Sequence, residues 1–284
     1  MPTTSTLEEL KAEFRLSYHL DALHACHELV GLAGRDVLEV GGSLPDELVR
    51  GHYGARTWYA IDDATRYRSF ASRAGELTAT AEPTPIEAAG WEPGSRAQLD
   101  GRIQDMAPEL QGRFDLIFSI ATLEHVGNLP GALRTMRTAL RPGGSMYLLV
   151  GPIWSSYRGY HIYPDYFPES GDRTRRLLET LRPWQHLAQN RPEMHASLRA
   201  EFGEEFAEVV TASMYESTRL NHLFAEEYFM LFQSQGLHVK HLVPWATGPE
   251  VDRSLLPEVR RRHPCFTRFE WDGFNCLLER PPGS

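Results

Sequence analysis

The sequence predicts an α/β fold: a doubly wound, mostly parallel sheet, with helices in front of it and an aromatic-rich helical insertion after the fifth strand. Three observations predict it. Short aliphatic runs alternate with segments of helical periodicity between Asp36 and Val150, the pattern of repeated βαβ units. Glycine turns punctuate the ends of those runs. After Gly151 the rhythm gives way to a stretch rich in Trp, Tyr, His and Arg, and the alternation of helix and strand resumes only after residue 222.

Each element follows from local signals. Residues 6–32 place apolar side chains at Leu7, Leu10, Phe14, Leu20, Leu23, Cys26 and Val30, the spacing of one or two amphipathic helices. Gly31 and Gly34 are stop signals, so residues 1–34 form an N-terminal helical cap. Residues 36–40 read as a buried strand entering the turn Gly41-Gly42-Ser43, followed by a short helix over 44–52. A second strand, 58–61, ends at Asp62 and Asp63, and 64–75 reads as a helix. The connection 76–100 is rich in Pro, Gly, Ala and Glu, and a brief third strand is expected at 102–104, just before Asp105.

The fourth strand is 114–120, the next helix 129–140, and Pro142-Gly143-Gly144 stops it ahead of a fifth strand at 145–150. Residues 35–151 thus form a ligand-binding core, because open parallel sheets bind ligands at the carboxyl ends of their strands. The insertion, 152–222, has helical stretches near 173–181 and 194–210. Residues 223–284 complete the core with a helix at 225–235 and two last strands at 237–242 and 274–279.

Composition narrows the function. With 284 residues, 42% of them hydrophobic, the chain is too apolar to be largely disordered. Its 29 basic and 38 acidic side chains give a net charge of −9, a poor match for nucleic-acid phosphates or anionic lipid. The expected partner is a small molecule, neutral, cationic or zwitterionic, with no nucleic acid and no membrane; a homodimer is left open. Cys26, Cys265 and Cys276 are odd in number and form no CxxC pair, which speaks against a disulfide framework and for a reducing cytoplasm. No apolar run approaches the ~20 residues that span a bilayer, and the polar start of the chain is unlike a signal peptide.

The turn after the first strand lacks the GxGxxG of a dinucleotide site. Ser43 and Asp46 instead form an S-x-x-D capping pattern, and Asp46 and Glu47 suit a helix dipole but repel a phosphate. A phosphate-free, cationic cofactor is favoured there over NAD.

Five motifs then occur in order: Val37-Leu38-Glu39-Val40-Gly41-Gly42; Asp62; Gln104-Asp105-Met106; Phe114-Asp115-Leu116-Ile117-Phe118-Ser119 leading to Leu123-Glu124-His125-Val126; and Leu140-Arg141-Pro142-Gly143-Gly144. On these the chain resembles the class I S-adenosylmethionine-dependent methyltransferases, closely over 36–150 and loosely beyond. Gly151-Pro152-Ile153-Trp154, Gly159-Tyr160-His161 and the segment around Trp184 are similar to a bacterial, natural-product-type subgroup acting on small molecules.

The resemblance implies a Rossmann-like, seven-stranded sheet and S-adenosyl-L-methionine as cofactor. It implies that Glu39 receives the cofactor ammonium directly or through water, and that Gly41, Gly42 and Ser43 form the turn beneath it. Asp62 would take the two ribose hydroxyls, with Asp63 as a competitor and helix capping as the alternative role. Asp105 would accept the adenine amino group, with Met106 as an apolar face; Ser119, Ile120 and Ala121 would line the methionine end; Tyr18 would reach its carboxylate. The family turn has three spaced glycines where this chain has two followed by Ser43-Leu44, which also leaves open a non-catalytic, cofactor-binding relative.

Methyl transfer is an in-line displacement that mainly demands alignment, a contribution that reaches ~7–11 kcal/mol. A base is required only for a protonated nucleophile, and histidine serves that role near neutral pH. His125, His161 and Tyr160 are the catalytic candidates, with packing beside the cofactor as the other reading for His125. Trp154, Tyr157, Tyr160, His161 and Tyr163, with Trp184 and His186, form an aromatic lid. Such rings attract a sulfonium or amine by ~0.5–2 kcal/mol each, or else build the insertion's own core, the preferred reading for Trp184. Tyr215, Asn221 and His222 are placed to close the pocket from the other side.

No metal is expected. His24 and His27 share a helix face, but no ligand spacing supports a site. The cysteines are read as small packing hydrophobes, and Arg260-Arg261-Arg262-His263 as a solvated loop. The expected activity is methyl transfer to a small molecule. Two alternatives stand: attack at another carbon of the sulfonium, giving aminocarboxypropyl transfer or cyclisation with release of methylthioadenosine, and binding without turnover.

Overall fold

The first and fourth strands expected from the sequence become the central strands. In the computed structural model, which describes residues 6–62, 83–162 and 171–283, β1 (Asp36–Val40) is buried along its whole length and β5 (Phe114–Ile120) at all but one position. The other strands are β2 (Thr57–Asp62), β3 (Thr84–Pro85), β4 (Arg96–Asp100), β6 (Leu140–Val150), β7 (His238–Ala246) and β8 (Trp271–Glu279). They form one sheet in the order β3-β4-β2-β1-β5-β6-β8-β7. Strands β1 to β6 pair in parallel, and β8 runs antiparallel to both β6 and β7. The chain steps outward from β1 to β2 and later from β5 to β6 in the opposite direction, so the topological switch point lies between β1 and β5.

Successive strand residues point to opposite faces. Leu38, Ile117 and Leu148 meet α3 (Leu129–Ala139) and α8 (Ala225–Ser234) on one face. Val37, Leu116, Phe118 and Tyr147 meet α1 (Leu7–Phe14) and α2 (Tyr18–Val30) on the other. Side chains cap helix starts on both faces: Thr6 and Glu9 form a reciprocal box at α1, and Asn128 accepts from the Gly131 N–H at α3.

Charge is concentrated at the amino edge of the sheet. Asp36 accepts from Arg56, from Arg141 at 2.8 Å and from Thr57 at 2.7 Å, and Arg141 also pairs with Asp115. Burial alone would raise the Asp36 carboxyl, but these donors outweigh it and hold it at about 2. The network ties β1, β2, β5 and β6 together at the end opposite their carboxyl ends.

The insertion has α4 (Gly171–Thr180), the short α5 (Gln185–Ala188), α6 (Arg191–Phe202) and α7 (Glu204–Tyr215). Its apolar side chains, among them Tyr160, Leu177, Met194, Phe206 and Met214, form a separate cluster. Trp184, fully buried, belongs to a second cluster with Phe224 and Phe269 and donates its indole N–H to the Phe269 carbonyl at 2.8 Å. It is a core residue, as the sequence suggested.

Several expectations need correction. The third strand is Arg96–Asp100, and residues 103–105 are a 3-10 turn. Only Leu99 of that strand is fully buried, so its pattern is too weak to distinguish from a loop. The sheet has eight strands, the extra one being the two-residue β3. Residues Glu47–His52 form a π-helical turn. Ser43 does not cap it, because Arg96 donates to the Ser43 hydroxyl at 2.7 Å and Asp46 pairs with Arg50 at 2.6 Å. The helix expected at 194–210 is two helices, divided at Gly203 with φ +87°. Arg260–Arg262 lie in α9 (Leu256–Arg262), not in a loop, and Arg261 and Arg262 pair with Glu258 and Glu193. The helix expected at 64–75 lies outside the described residues, as do Asp63 and Tyr163.

Candidate active site

The carboxyl ends of β1 and β5 meet at a tightly packed turn. Gly41 has φ +84°, and a Cβ there would lie 2.0 Å from the Thr122 hydroxyl. That hydroxyl donates to the Ile120 carbonyl at 2.9 Å, with the Gly41 carbonyl at 3.2 Å. A Cβ on Gly42 would lie 2.4 Å from the Glu39 carboxylate. Gly41 is therefore required by backbone conformation as well as close approach, and Gly42 by close approach alone.

Glu39 is buried beneath this turn. Its carboxylate accepts the Leu44 N–H at 3.0 Å and the Trp58 indole N–H at 2.7 Å. Burial raises its pKa, and the two donors oppose that rise. The expected direct contact with a ligand ammonium is not prepared, because the carboxylate faces inward onto protein donors. The geometry has a second consequence. A turn N–H that a dinucleotide fold would aim at a phosphate is here occupied by a side-chain carboxylate.

Asp62 ends β2 beside Asp100 of β4, half-buried at the same edge. Asp105 lies beyond the strand end, and both its oxygens face Arg102, at 2.8 and 3.2 Å. The residue that ends the third strand is Asp100. Met106 is a core residue that packs with Ile86 and Leu110. Ser119 is buried and donates to the Val40 carbonyl at 2.8 Å, which fixes β5 against β1. Tyr18 is 48% exposed and stacks on His19 at 4.0 Å. Burial of part of the ring and then the field of Glu124 raise its pKa.

The catalytic candidates come together. The His125 and His161 rings are perpendicular, 5.0 Å between centroids. His125 Nδ1 lies 2.8 Å from the Arg219 carbonyl and His161 Nε2 lies 2.5 Å from the Pro152 carbonyl. A carbonyl only accepts, so each of these nitrogens carries the proton in the neutral ring, and the other nitrogen holds the lone pair. Burial lowers the His161 pKa, which keeps the ring neutral at pH 7. Its backbone has φ +48°, one of few non-glycine residues in that region, and such conformations persist where surrounding structure over-determines them.

Trp154 organises the rest. His222 and His186 stand edge-on to it at 4.4 and 4.7 Å, and Tyr160 meets His186 at 5.3 Å. Tyr215 donates to the His186 and Gln189 carbonyls, and Asn221 donates to the Leu123 carbonyl at 2.7 Å. Tyr215 thus ties two segments of the insertion together, and Asn221 ties the end of the insertion to the turn after β5. His186 is fully buried; its Nε2 faces the Trp154 carbonyl at 2.9 Å while its Nδ1 has no partner among the described residues, and burial lowers its pKa to about 3.

A cavity of about 340 Å³ opens beside this cluster, with Ser156, Arg158, Tyr160, His161, Leu178 and Asp272 on its walls. Burial pushes the Tyr160 hydroxyl up to about 12. Sequence reasoning found Tyr160 and His161 but missed Ser156, Arg158 and Asp272. Asp272 begins the last strand 111 positions after His161, and no spacing links them. It likewise missed Trp58 and Thr122, whose signal was only their adjacency to a strand end.

Among the described residues no cluster of three or more His, Cys, Asp or Glu side chains has metal-binding geometry. His24 faces the Tyr53 hydroxyl, and His27 accepts the Leu32 N–H. Cys26 and Cys276 are buried and Cys265 is exposed. No described helix is long and apolar enough to cross a membrane.

With this geometry in place, comparison with known proteins decides the family. The family model for a methyltransferase domain matches residues 21–226, from α2 to the start of α8. The chain belongs to the methyltransferase-domain family. The resemblance to class I S-adenosylmethionine-dependent methyltransferases is thereby borne out, and the Rossmann-like sheet agrees with it. The methyltransferase-domain match runs through the insertion as well as the sheet.

Among solved structures, a S-adenosylmethionine-dependent methyltransferase from Mesorhizobium loti is 14% identical, with 94% of this chain and 100% of that chain covered and a TM-score of 0.47. One from Methanosarcina mazei is 12% identical, with 91% and 97% covered and a TM-score of 0.45. No curated protein matches the chain.

Proposed function

We propose that this methyltransferase-domain protein is an enzyme that uses S-adenosyl-L-methionine to methylate a small molecule. One observation carries the choice of cofactor. The buried Glu39 carboxylate fills the turn after β1, so the switch point offers negative charge where a phosphate-bearing cofactor needs free N–H groups. A sulfonium and an ammonium suit that field. In this reading Asp62, at the end of β2, would take the ribose, and the β5 end at Ser119–Ala121 would face the methionine portion.

When bound, the cofactor supplies an electrophilic methyl group, and the chain's own residues provide alignment and proton management. The insertion supplies aromatic walls that hold a flat acceptor and exclude water. His161, neutral and buried, would accept the proton of an acceptor hydroxyl or ammonium at its Nδ1 while its Nε2–H stays on the Pro152 carbonyl. His125 at 5.0 Å supports the same ring face. The net charge of −9 supports a small molecule over a nucleic acid.

The test is transfer of isotopically labelled methyl from the cofactor in the presence of a metabolite extract, followed by separation into small-molecule, protein and RNA fractions. Label is expected in the small-molecule fraction. Label confined to protein or RNA would overturn the acceptor class.

A further inference from the structure

We infer that the cavity beside Tyr160 and His161 is an acceptor pocket for a flat molecule bearing a carboxylate, with Arg158 and Ser156 as its anchors. This deepens the reading of the chain as a small-molecule methyltransferase and rests on it. The net charge of the chain argues the other way, since at −9 the molecule as a whole repels an anion. The pocket's own chemistry decides locally.

Its polar groups are unevenly satisfied. The Ser156 hydroxyl is buried and has no hydrogen-bond partner among the described residues, although a buried hydroxyl ordinarily has one. The Arg158 guanidinium lies over the Tyr157 ring at 5.2 Å and forms no ion pair among the described residues. The Asp272 carboxylate, by contrast, is already engaged by the Thr247 hydroxyl at 2.7 Å. Burial raises the Asp272 pKa, which weakens it as an anchor for a cation. The pocket therefore presents a planar cation with no ion pair among the described residues and a buried hydroxyl; its carboxylate is held by Thr247 and lies within the field of Arg158 without pairing to it.

A guanidinium binds a carboxylate through two parallel N–H donors, and the hydroxyl can donate to or accept from a further polar atom. Tyr160 and His161 supply ring surface for a planar body. A volume of about 340 Å³ is at the lower end of small-molecule sites, which span roughly 300–1,000 Å³. The acceptor class that satisfies all of these is a small aromatic or conjugated monocarboxylate, held with its anion toward Arg158 and its body against the rings near His161.

The experiment uses the whole chain. A panel of flat monocarboxylates, with benzoate and 4-hydroxybenzoate as first members, is compared with the matched carboxamides and amines by ligand-observed NMR. Binding of S-adenosylhomocysteine is measured separately by calorimetry. The carboxylates are expected to bind, the amides and amines at least ~10-fold more weakly, consistent with loss of a charge-assisted pair. Arg158→Gln should remove that preference, and Ser156→Ala should weaken carboxylate binding without removing it. Arg158 is exposed, so its replacement leaves the fold intact, and unchanged S-adenosylhomocysteine affinity in both variants checks this. Preference for amines, or carboxylate binding that survives Arg158→Gln, overturns the proposal. Failure of S-adenosylhomocysteine to bind the unaltered chain would instead strike the cofactor reading, whatever the carboxylates do.

Discussion

The Trp58 indole N–H donates to the Glu39 carboxylate at 2.7 Å, entirely inside the protein, and so joins the first residues of β2 to the turn that follows β1. Asp36 ties β1 to β2 at the amino edge, and this bond reaches from the same end of β2 to Glu39, one residue short of the carboxyl end of β1. The bond also explains how a carboxylate can stay buried there. Two donors, the indole and the Leu44 N–H, offset part of the cost of taking its charge from water.

Replacing Trp58 by Phe removes the stronger of those donors. The expected loss is ~1–3 kcal/mol of folding stability, the usual result of leaving a buried acceptor short of a partner. Cofactor affinity should fall as well, because the turn rests on Glu39. Urea unfolding and calorimetry on the same variant check both; an unchanged midpoint would mean that the bond carries no stability.

Asp62→Ala is expected to weaken S-adenosylhomocysteine binding by ~1–3 kcal/mol, the loss of hydrogen bonds to a half-buried carboxylate. Asp105→Ala should change it much less, since that carboxylate faces Arg102 at the surface. Equal effects of the two in calorimetry would contradict the assignment of the ribose role to the end of β2.

His161→Gln is expected to lower turnover by ~10²–10⁴-fold, the usual contribution of a proton-accepting group, and to leave cofactor affinity within a factor of about two. A kcat that falls with no change in cofactor binding separates proton transfer from packing. Normal turnover would remove His161 from the chemistry.

Buried histidines also set the acid limit of the fold. In the unfolded chain His186 titrates near the free value of about 6.5, whereas in the fold its pKa is about 3. Above pH 6.5 both states are neutral and stability is complete. Below it, the unfolded chain takes up a proton that the native site refuses. Stability then falls by up to ~1.4 kcal/mol per pH unit until pH approaches 3. His161, also lowered, adds in the same direction. Urea midpoints at pH 7, 6 and 5 should decline less steeply for His186→Leu than for the unaltered chain, and parallel slopes would contradict this.

What the sequence made legible follows burial. Central strands covered on both faces carry mostly apolar side chains, so β1 and β5 could be placed residue by residue. The edge strand β4 has a single fully buried residue, Leu99, and it was displaced by several positions toward Asp105. That error passed directly to the site, because Asp105 was taken for the strand-end acid. Gly203 divides a continuous apolar periodicity that gave no sign of a break beyond the glycine itself. Glu39 and the glycines were found from their motif, but the inward orientation of Glu39 depends on Trp58, and a hydrogen bond between strands leaves no trace in spacing. The cavity was the least legible feature, since its walls come from the segment after β6, from α4 and from β8.

The central claim is methyl transfer from S-adenosyl-L-methionine. Its most direct test is mass spectrometry of the nucleoside products when the purified protein is incubated with the cofactor, with and without a metabolite extract. The account predicts S-adenosylhomocysteine that forms only when extract is present. Methylthioadenosine above the protein-free control, or cofactor binding with neither product, would contradict it.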